Sequence, residues 1–367
     1  MDSEWKNLRL GDVITLKRGY DLPTADRNGN GNVPIVSSSG IIDYHDEAKA
    51  QAPGVITGRY GTVGEFFYLN EPFWPLNTTL YVRDFKGNNP YFIYYFLQTL
   101  HFTRYSDKTS VPGVNRNDLH RIKVKLPPLA EQRRIAGILG AWDEAISLTG
   151  RLIEAKQRRK QGLMQRLLTG SARLPGFEGE WREVRLDQVA KVIMGQSPSS
   201  ENYNGTGQGI PLIQGNADIE DRRTAPRNFT TEITKQCKVG DIILSVRAPV
   251  GETALSVHDA CIGRGVCAIR ATNLDNKFLY QLLVFIEPAW DRYAQGSTFT
   301  AINSSDIKQF RLSVPSASDE QRAIAAVLQT ADEAIALLER KLAALRRQKQ
   351  GLMQRLLTGQ VRVGEGG

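Results

Sequence analysis

The sequence lacks the marks of an enzyme, a secreted protein or a membrane protein. It has no Gly-x4-Gly-Lys-Ser/Thr phosphate loop. Its four histidines, His45, His101, His120 and His258, form no HxxxH or HExxH pair, so no metal helix is expected. No carboxylate pair has a lysine spaced as in a nuclease centre. Cysteine is scarce: Cys237, Cys261 and Cys267 are odd in number and without CxxC spacing, which predicts buried free thiols in a reducing cytoplasm. No apolar run approaches 18 residues, which excludes a membrane-spanning helix, and the polar first ten residues have no signal-peptide core. Metals and cofactors are not expected on this chain.

A long internal repeat is present instead. The residues QGLMQRLLTG occur at 161–170 and again at 350–359. Extending the match upstream pairs residues 131–170 with 320–359, and 25 of these 40 positions are identical. Trp5, Leu10, Val13, Leu16 and Gly19 match Trp181, Leu186, Val189, Val192 and Gly195 at an offset of 176. That offset grows to 189 by the helix, so the second half carries 13 extra residues in its variable body. The chain is therefore a tandem duplication of body and helix, with the tail at 360–367 restarting the segment after the first helix. This order predicts bodies at 1–129 and 171–317, and long helices at 130–170 and 318–359.

The helices carry a heptad seam. Ile135, Leu139, Trp142, Ile146, Thr149, Ile153, Lys156, Lys160, Leu163 and Leu167 advance in steps of four and three, and the second copy keeps the register. Each would run about 37 residues, or roughly 55 Å. Ser318 and Gln321 read as a capping box, and Gly170 and Gly359 sit where helices end. The seams predict an antiparallel pair related by a pseudo-twofold axis, with a body at each end. Met164, Leu168, Met353 and Leu357 lie one step off the seam, which predicts an exposed apolar strip where two copies of one partner dock. The net charge of +8 sits almost wholly on the helices, which hold +4 and +3. Any DNA contact by the bodies must then come from local patches.

The bodies read as α+β and strand-rich. Strands are expected at 33–37, 54–57, 79–82 and 122–125, and at 210–214, 241–246, 265–270 and 311–314, with helices at 91–100 and 277–285. Asn88-Asn89-Pro90-Tyr91 superficially resembles the Asn-Pro-Pro-Tyr loop of adenine methyltransferases. It lacks the second proline and reads as a turn and helix start.

Polar loops with DNA-reading chemistry remain. Arg reads guanine, Asn or Gln reads adenine, Ser and Thr read either, and phosphates are held by Lys, Arg and Ser. In the first body the candidates are Ser37, Ser38, Arg59, Tyr60, Asn77, Thr78, Lys108, Thr109, Asn115 and Arg116. In the second they are Gln214, Asn216, Arg222, Arg247, Arg264, Ser297, Thr298 and Asn303. Arg59 and Arg247 stand out because each precedes a Val-Gly-Glu run by a few residues.

The whole chain resembles the DNA specificity subunit of type I restriction–modification systems. The resemblance rests on the paired Trp-x-x-x-x-Leu openings and on Pro-Pro-Leu-x-Glu-Gln-x-x-Ile at 127–135. Glu-Gln-Arg-x-Ile-Ala at 320–325 and the doubled QGLMQRLLTG complete it. It implies two target-recognition domains on antiparallel helices and a bipartite, asymmetric site in double-stranded DNA. It also implies two docked methyltransferase subunits and, through them, two restriction subunits. S-adenosylmethionine, ATP and Mg²⁺ would act on those partners, leaving this chain non-catalytic. Two other readings are a coiled-coil adaptor whose bodies bind proteins, and the specificity portion of a single-chain restriction–methylation enzyme.

Overall fold

The computed structural model describes residues 4–27, 31–106, 113–290 and 301–364. The chain divides into two compact units, Met1–Gly150 with Arg340–Gly367, and Arg151–Glu339. Both unit boundaries fall inside the long helices.

In the first unit, β1 (Lys6–Arg9) pairs antiparallel with β9 (Lys123–Leu126), from Lys6 opposite Leu126 to Arg9 opposite Lys123. Helix α1 (Leu10–Val13) leads into β2 (Thr15–Arg18). A three-stranded sheet joins β3 (Val33–Ser37), β4 (Gly40–His45) and β7 (Trp74–Pro75) in the order β4-β3-β7, with β3 and β7 parallel. A four-stranded antiparallel sheet runs β2-β8-β5-β6, using β5 (Gly54–Gly58), β6 (Phe66–Leu69) and β8 (Thr79–Asp84). Helix α2 (Pro90–Gln98) starts as its sequence dictates: Asn89 caps it by accepting from Phe92 N at 2.9 Å, and Pro90 occupies the first turn, where no N–H is needed. It buries Phe92, Ile93, Tyr95, Phe96 and Leu97 against Leu10, Val13 and Leu16. Helix α3 (Arg116–His120) precedes β9, and the long helix α4 spans Leu129–Leu167.

The second unit repeats the plan. Strand β10 (Trp181–Arg185) pairs with β22 (Arg311–Pro315), and α5 (Leu186–Val189) leads into β11 (Ala190–Met194). A six-stranded sheet runs β11-β21-β18-β19-β15-β14, using β14 (Ile219–Glu220), β15 (Arg223–Thr224), β18 (Ile242–Ser245), β19 (Thr253–Leu255) and β21 (Val266–Ala271). A five-stranded sheet runs β12-β16-β13-β20-β17, using β12 (Tyr203–Asn204), β13 (Ile210–Ile213), β16 (Asn228–Thr230), β17 (Gln236–Cys237) and β20 (Ala260–Ile262), with β13 parallel to β20 as β3 lies parallel to β7. Helix α6 (Asn276–Phe285) is capped by Asp275, which accepts from Phe278 N at 2.9 Å. The C-terminal helix spans Ser318–Leu357.

The repeated Glu-Gln pair that opens both long helices is buried. Glu131 accepts from Trp5 Nε1 at 3.1 Å and from Arg362 Nε and Nη2, each at 2.8 Å. Burial pushes its carboxyl up, but Arg362, the Val363 amide and Trp5 together outweigh that and hold it below the usual carboxylate range. In the second unit Glu320 takes Arg173 at 2.6 and 2.7 Å. Gln132 accepts from Asn89 N at 3.0 Å, and Gln321 accepts from Asp275 N at 2.8 Å, so each ties its helix to the cap of α2 or α6. The expected capping box at Ser318 is not formed by Gln321. Its amide is buried and its Nε2 donates instead to Pro315 O at 2.9 Å.

Three polar seam positions have partners. Lys160 pairs with Asp332 in the second unit, Lys349 pairs with Asp143 in the first, and Thr149 Oγ1 donates to Ala145 O at 2.7 Å. Asp143 also accepts from Tyr95, and Asp332 from Gln281 Nε2 at 2.8 Å, so α2 and α6 are each tied to a seam ion pair.

One expectation is overturned. Met164, Leu168 and Leu357 are 7%, 2% and 3% exposed, so they form no exposed strip. Met164 and Leu168 pack with Leu186, Ile324 and Leu328 in the second unit's core, and Leu357 belongs to the first unit's core with Met353 packed against it. A step around the helix from the seam faces the adjoining body, which covers these side chains.

Candidate nucleic-acid interface

In the first unit the polar candidates converge on one set of loops. Leu76 N donates to Val36 O at 2.9 Å, which sets the β7–β8 turn beside the Ser37-Ser38 loop. Arg59 N donates to Thr78 O at 2.8 Å and Val114 N donates to Arg59 O at 2.9 Å. A side chain at Gly58 would lie 3.1 Å from Ser38 Cβ and 2.2 Å from Thr62 O, so this approach requires glycine. Ser37, Ser38, Arg59, Tyr60, Asn77 and Thr78 therefore share one patch. Within it Arg59 stacks over the ring of exposed Tyr60 at 4.6 Å.

The second unit builds the same framework with other side chains. Gly263 N donates to Ile213 O at 2.8 Å, and Val246 N donates to Gly265 O at 2.9 Å. Ile302 N donates to Val246 O at 3.0 Å. Gln214, Asn216, Arg247 and Arg264 thus gather on connected loops. Arg247 and Arg264 are exposed, and among the described residues neither guanidinium has a hydrogen-bond or ion-pair partner. A side chain on Gly265 would come within 2.1 Å of Gln214 O, which shows how closely the Arg264 turn backs onto Gln214.

The shared bonds correct one pairing. By sequence Arg59 matched Arg247. By hydrogen bonds Arg59 corresponds to Val246, because each donates to the β7–β8 or β20–β21 turn and accepts from Val114 or Ile302. Tyr60 bridges Gly113 as Arg247 bridges Ala301, so exposed Tyr60 holds the place of exposed Arg247. By the same bonds Asn77 holds the place of Arg264, a match that sequence reasoning missed.

Other candidates have structural roles. Asn115 caps α3 by accepting from Asn117 N at 2.9 Å. Asn303 caps the short helix Ser304–Gln309, accepting from Ser305 N and Asp306 N at 2.8 and 3.0 Å. Arg222 donates to Thr253 O at 3.1 Å and to both oxygens of Glu287, whose carboxylate holds the guanidinium above its ordinary range. Arg116 is exposed beside the Asn115 cap. Lys108, Thr109, Ser297 and Thr298 lie outside the described residues. No group of three or more His, Cys, Asp or Glu that could hold a metal occurs among the described residues.

Residues 2–156 and 178–347 match the family model described as the type I restriction modification DNA specificity domain. The chain belongs to the type I restriction–modification specificity subunits. A Methanocaldococcus jannaschii protein described as the type I restriction enzyme MjaX specificity subunit is 33% identical over 294 residues, 75% of this chain and 68% of that one. The MjaVIII specificity subunit of the same organism is 23% identical over 70% of this chain and 66% of its own length. Among solved structures, the HsdS subunit from Thermoanaerobacter tengcongensis superposes with a TM-score of 0.52 at 27% identity, covering 98% of both chains. A chain from a study of complex assembly in a type I R-M system reaches 0.64 at 28% identity, covering 98% of this chain and 99% of that one. The Mycoplasma genitalium S subunit, at 16% identity and a TM-score of 0.68, shares the fold. No described helix is long and apolar enough to cross a membrane.

Proposed function

We propose that each unit's loop patch reads one half of a bipartite, asymmetric site in double-stranded DNA. The two long helices, packed as an antiparallel coiled coil about a pseudo-twofold axis, hold the readers apart and carry two methyltransferase subunits. Two restriction subunits join through these. S-adenosylmethionine, ATP and Mg²⁺ act on the partners, in the cytoplasm, and this chain itself catalyses nothing. The observation that carries the reading is the equivalent set of framework bonds in both units under different side chains: Tyr60 against Arg247, and Asn77 against Arg264. Identical readers related by a twofold would recognise a palindrome, whereas different ones recognise an asymmetric site. With Met164, Leu168 and Leu357 turned inward, the matched leucines Leu148 and Leu337, 50% and 62% exposed, are the apolar helix side chains offered to the two methyltransferase copies.

The test is to co-express the chain with its methyltransferase subunit and sequence the methylated adenines. Two unlike half-motifs separated by a fixed unread gap are expected. An uninterrupted palindrome would overturn the reading, and the absence of any DNA shift by the complex would favour the protein-binding adaptor.

A further inference from the structure

The tips of two equivalent turns differ in a way that DNA chemistry interprets. In the first unit the turn between β7 and β8 carries Asn77; in the second the turn between β20 and β21 carries Arg264. Both turns are pinned by the same bonds. Gly19 N donates to Thr79 O at 3.1 Å, and Gly195 N to Val266 O at 3.0 Å. Tyr20 N donates to Pro75 O at 2.7 Å, and Gln196 N to Ile262 O at 2.9 Å. Even the position that steadies each tip is shared. Asp21 accepts from the Asn77 amide, and Ser197, at the matching place, accepts from Arg264 N at 3.1 Å.

The difference at the steadying position matters. The Asp21 carboxylate, also engaged by Arg18 at 3.3 Å, takes the Asn77 Nδ2 group and thereby turns its Oδ1 the other way. An asparagine amide so oriented presents a donor and an acceptor side by side, the complement of adenine N7 and N6. A carboxylate at 197 would capture the Arg264 guanidinium. The serine there holds only the backbone and leaves the fork free, the complement of guanine O6 and N7.

We propose that this turn tip is the purine-reading position of each unit, with Asn77 reading an adenine in one half-site and Arg264 a guanine in the other. The inference rests on the DNA-reading function proposed above and assigns its specificity to named residues. Asp21 and Ser197 are positioning residues, acting through the tip.

The test uses the full chain in complex with its methyltransferase and a library of duplexes in which every position of the mapped motif is varied. Arg264→Ala should lower discrimination at one guanine of one half-site by about 5- to 150-fold. The other half-site should keep its profile. Asn77→Ala should do the same at one adenine of the other half-site. Ser197→Asp should weaken guanine discrimination without touching Arg264 itself, and Arg264→Lys should restore part of it. Competition binding on the same library reads discrimination even where methylation is lost, and circular dichroism confirms folding of these variants. An unchanged profile overturns the proposal. So does uniform weakening with a reduced salt dependence, the mark of a phosphate contact. So does relaxation at a pyrimidine whose pair carries no such purine. If the wild-type complex recognises no bipartite motif at all, the functional reading fails instead, before these variants are compared.

Discussion

Arg362 donates to both carboxylate oxygens of Glu131, each at 2.8 Å. Its guanidinium also lies 5.7 Å from the Trp5 ring centre, as Arg173 lies 6.0 Å from that of Trp181. The C-terminal tail thus repeats for the first unit what the segment after α4 does for the second.

Removing that grip should loosen the first unit. Arg362→Ala leaves a carboxylate that is 5% exposed without its cation. A fully enclosed pair broken this way costs about 3–5 kcal/mol. Arg362 is itself 43% exposed, so solvent screening reduces the expected loss to about 2 kcal/mol. Glu131 titrates below its ordinary value when folded, so its contribution is present above the unfolded carboxylate pKa and is lost as pH falls through the folded one. Denaturation at neutral pH should separate wild type from variant, and the gap should close in acid. A gap that persists unchanged in acid would show that the ion pair is not its source.

The two helix-end glycines should respond unequally to alanine. Gly170 and Gly359 have φ of +71° and +73°, where an L side chain costs about 1–2 kcal/mol. A Cβ on Gly170 would meet the Trp181 ring at 3.1 Å, whereas on Gly359 it would meet Trp5 at an ordinary 3.4 Å. Chemical denaturation should find Gly170→Ala the more damaging of the two, and the reverse order would contradict this packing.

Inward and outward leucines should behave oppositely. Leu168, 2% exposed, should cost about 2–5 kcal/mol on truncation to alanine. Leu148→Glu should leave the chain folded and remove one methyltransferase copy, as read by light scattering of the complex. Retention of both copies would exclude Leu148 from the docking surface.

Tyr280 supplies an alkaline marker. Burial, aided by the nearby Asp332 and Glu287 carboxylates and opposed by Arg222, pushes its hydroxyl up to about 12. A raised folded value means the contribution is complete below the ordinary tyrosine pKa and disappears as pH rises through about 12. Spectroscopic titration of wild type and Tyr280→Phe should differ by one late-ionising phenol. If the lost phenol titrates near 10, the site is more hydrated than its packing indicates.

A matched insertion tests the helices as a ruler. Adding seven residues to both α4 and the C-terminal helix preserves the seam and lengthens each by about 10 Å. The gap in the methylated motif should grow by about three base pairs. An unchanged gap would assign spacing to some other part of the chain.

Much of this architecture was legible because periodicity and turn chemistry act locally. The strand at Val33–Ser37 was read residue for residue, and Asn88-Asn89-Pro90-Tyr91 was read as a helix start, where Asn89 caps α2. The direction of Met164 and Leu168 was not legible, because a heptad pattern fixes the seam and not what covers the next face. The reading of Gln321 as half of a capping box failed because a buried tertiary acceptor and donor outcompete a local bond. The Arg59–Arg247 match failed by one residue, although the Val-Gly-Glu runs at 63–65 and 250–252 already differ by 187 rather than 188. That offset aligns Tyr60 with Arg247 and Asn77 with Arg264, and identity at a single arginine concealed it.

The discontinuous first unit has a consequence for how the chain comes off the ribosome. The second unit, Arg151–Glu339, is one unbroken stretch, while the first needs Arg340–Gly367 as well as the opening 150 residues. Domains generally fold in the order of synthesis. Here the order is inverted: the segment made first must wait for Leu356, Leu357 and Arg362, and the segment made second can close before them. Once made, the Glu131 carboxylate of the nascent N-terminal body therefore waits through the 231 residues up to Arg362 before its guanidinium partner exists.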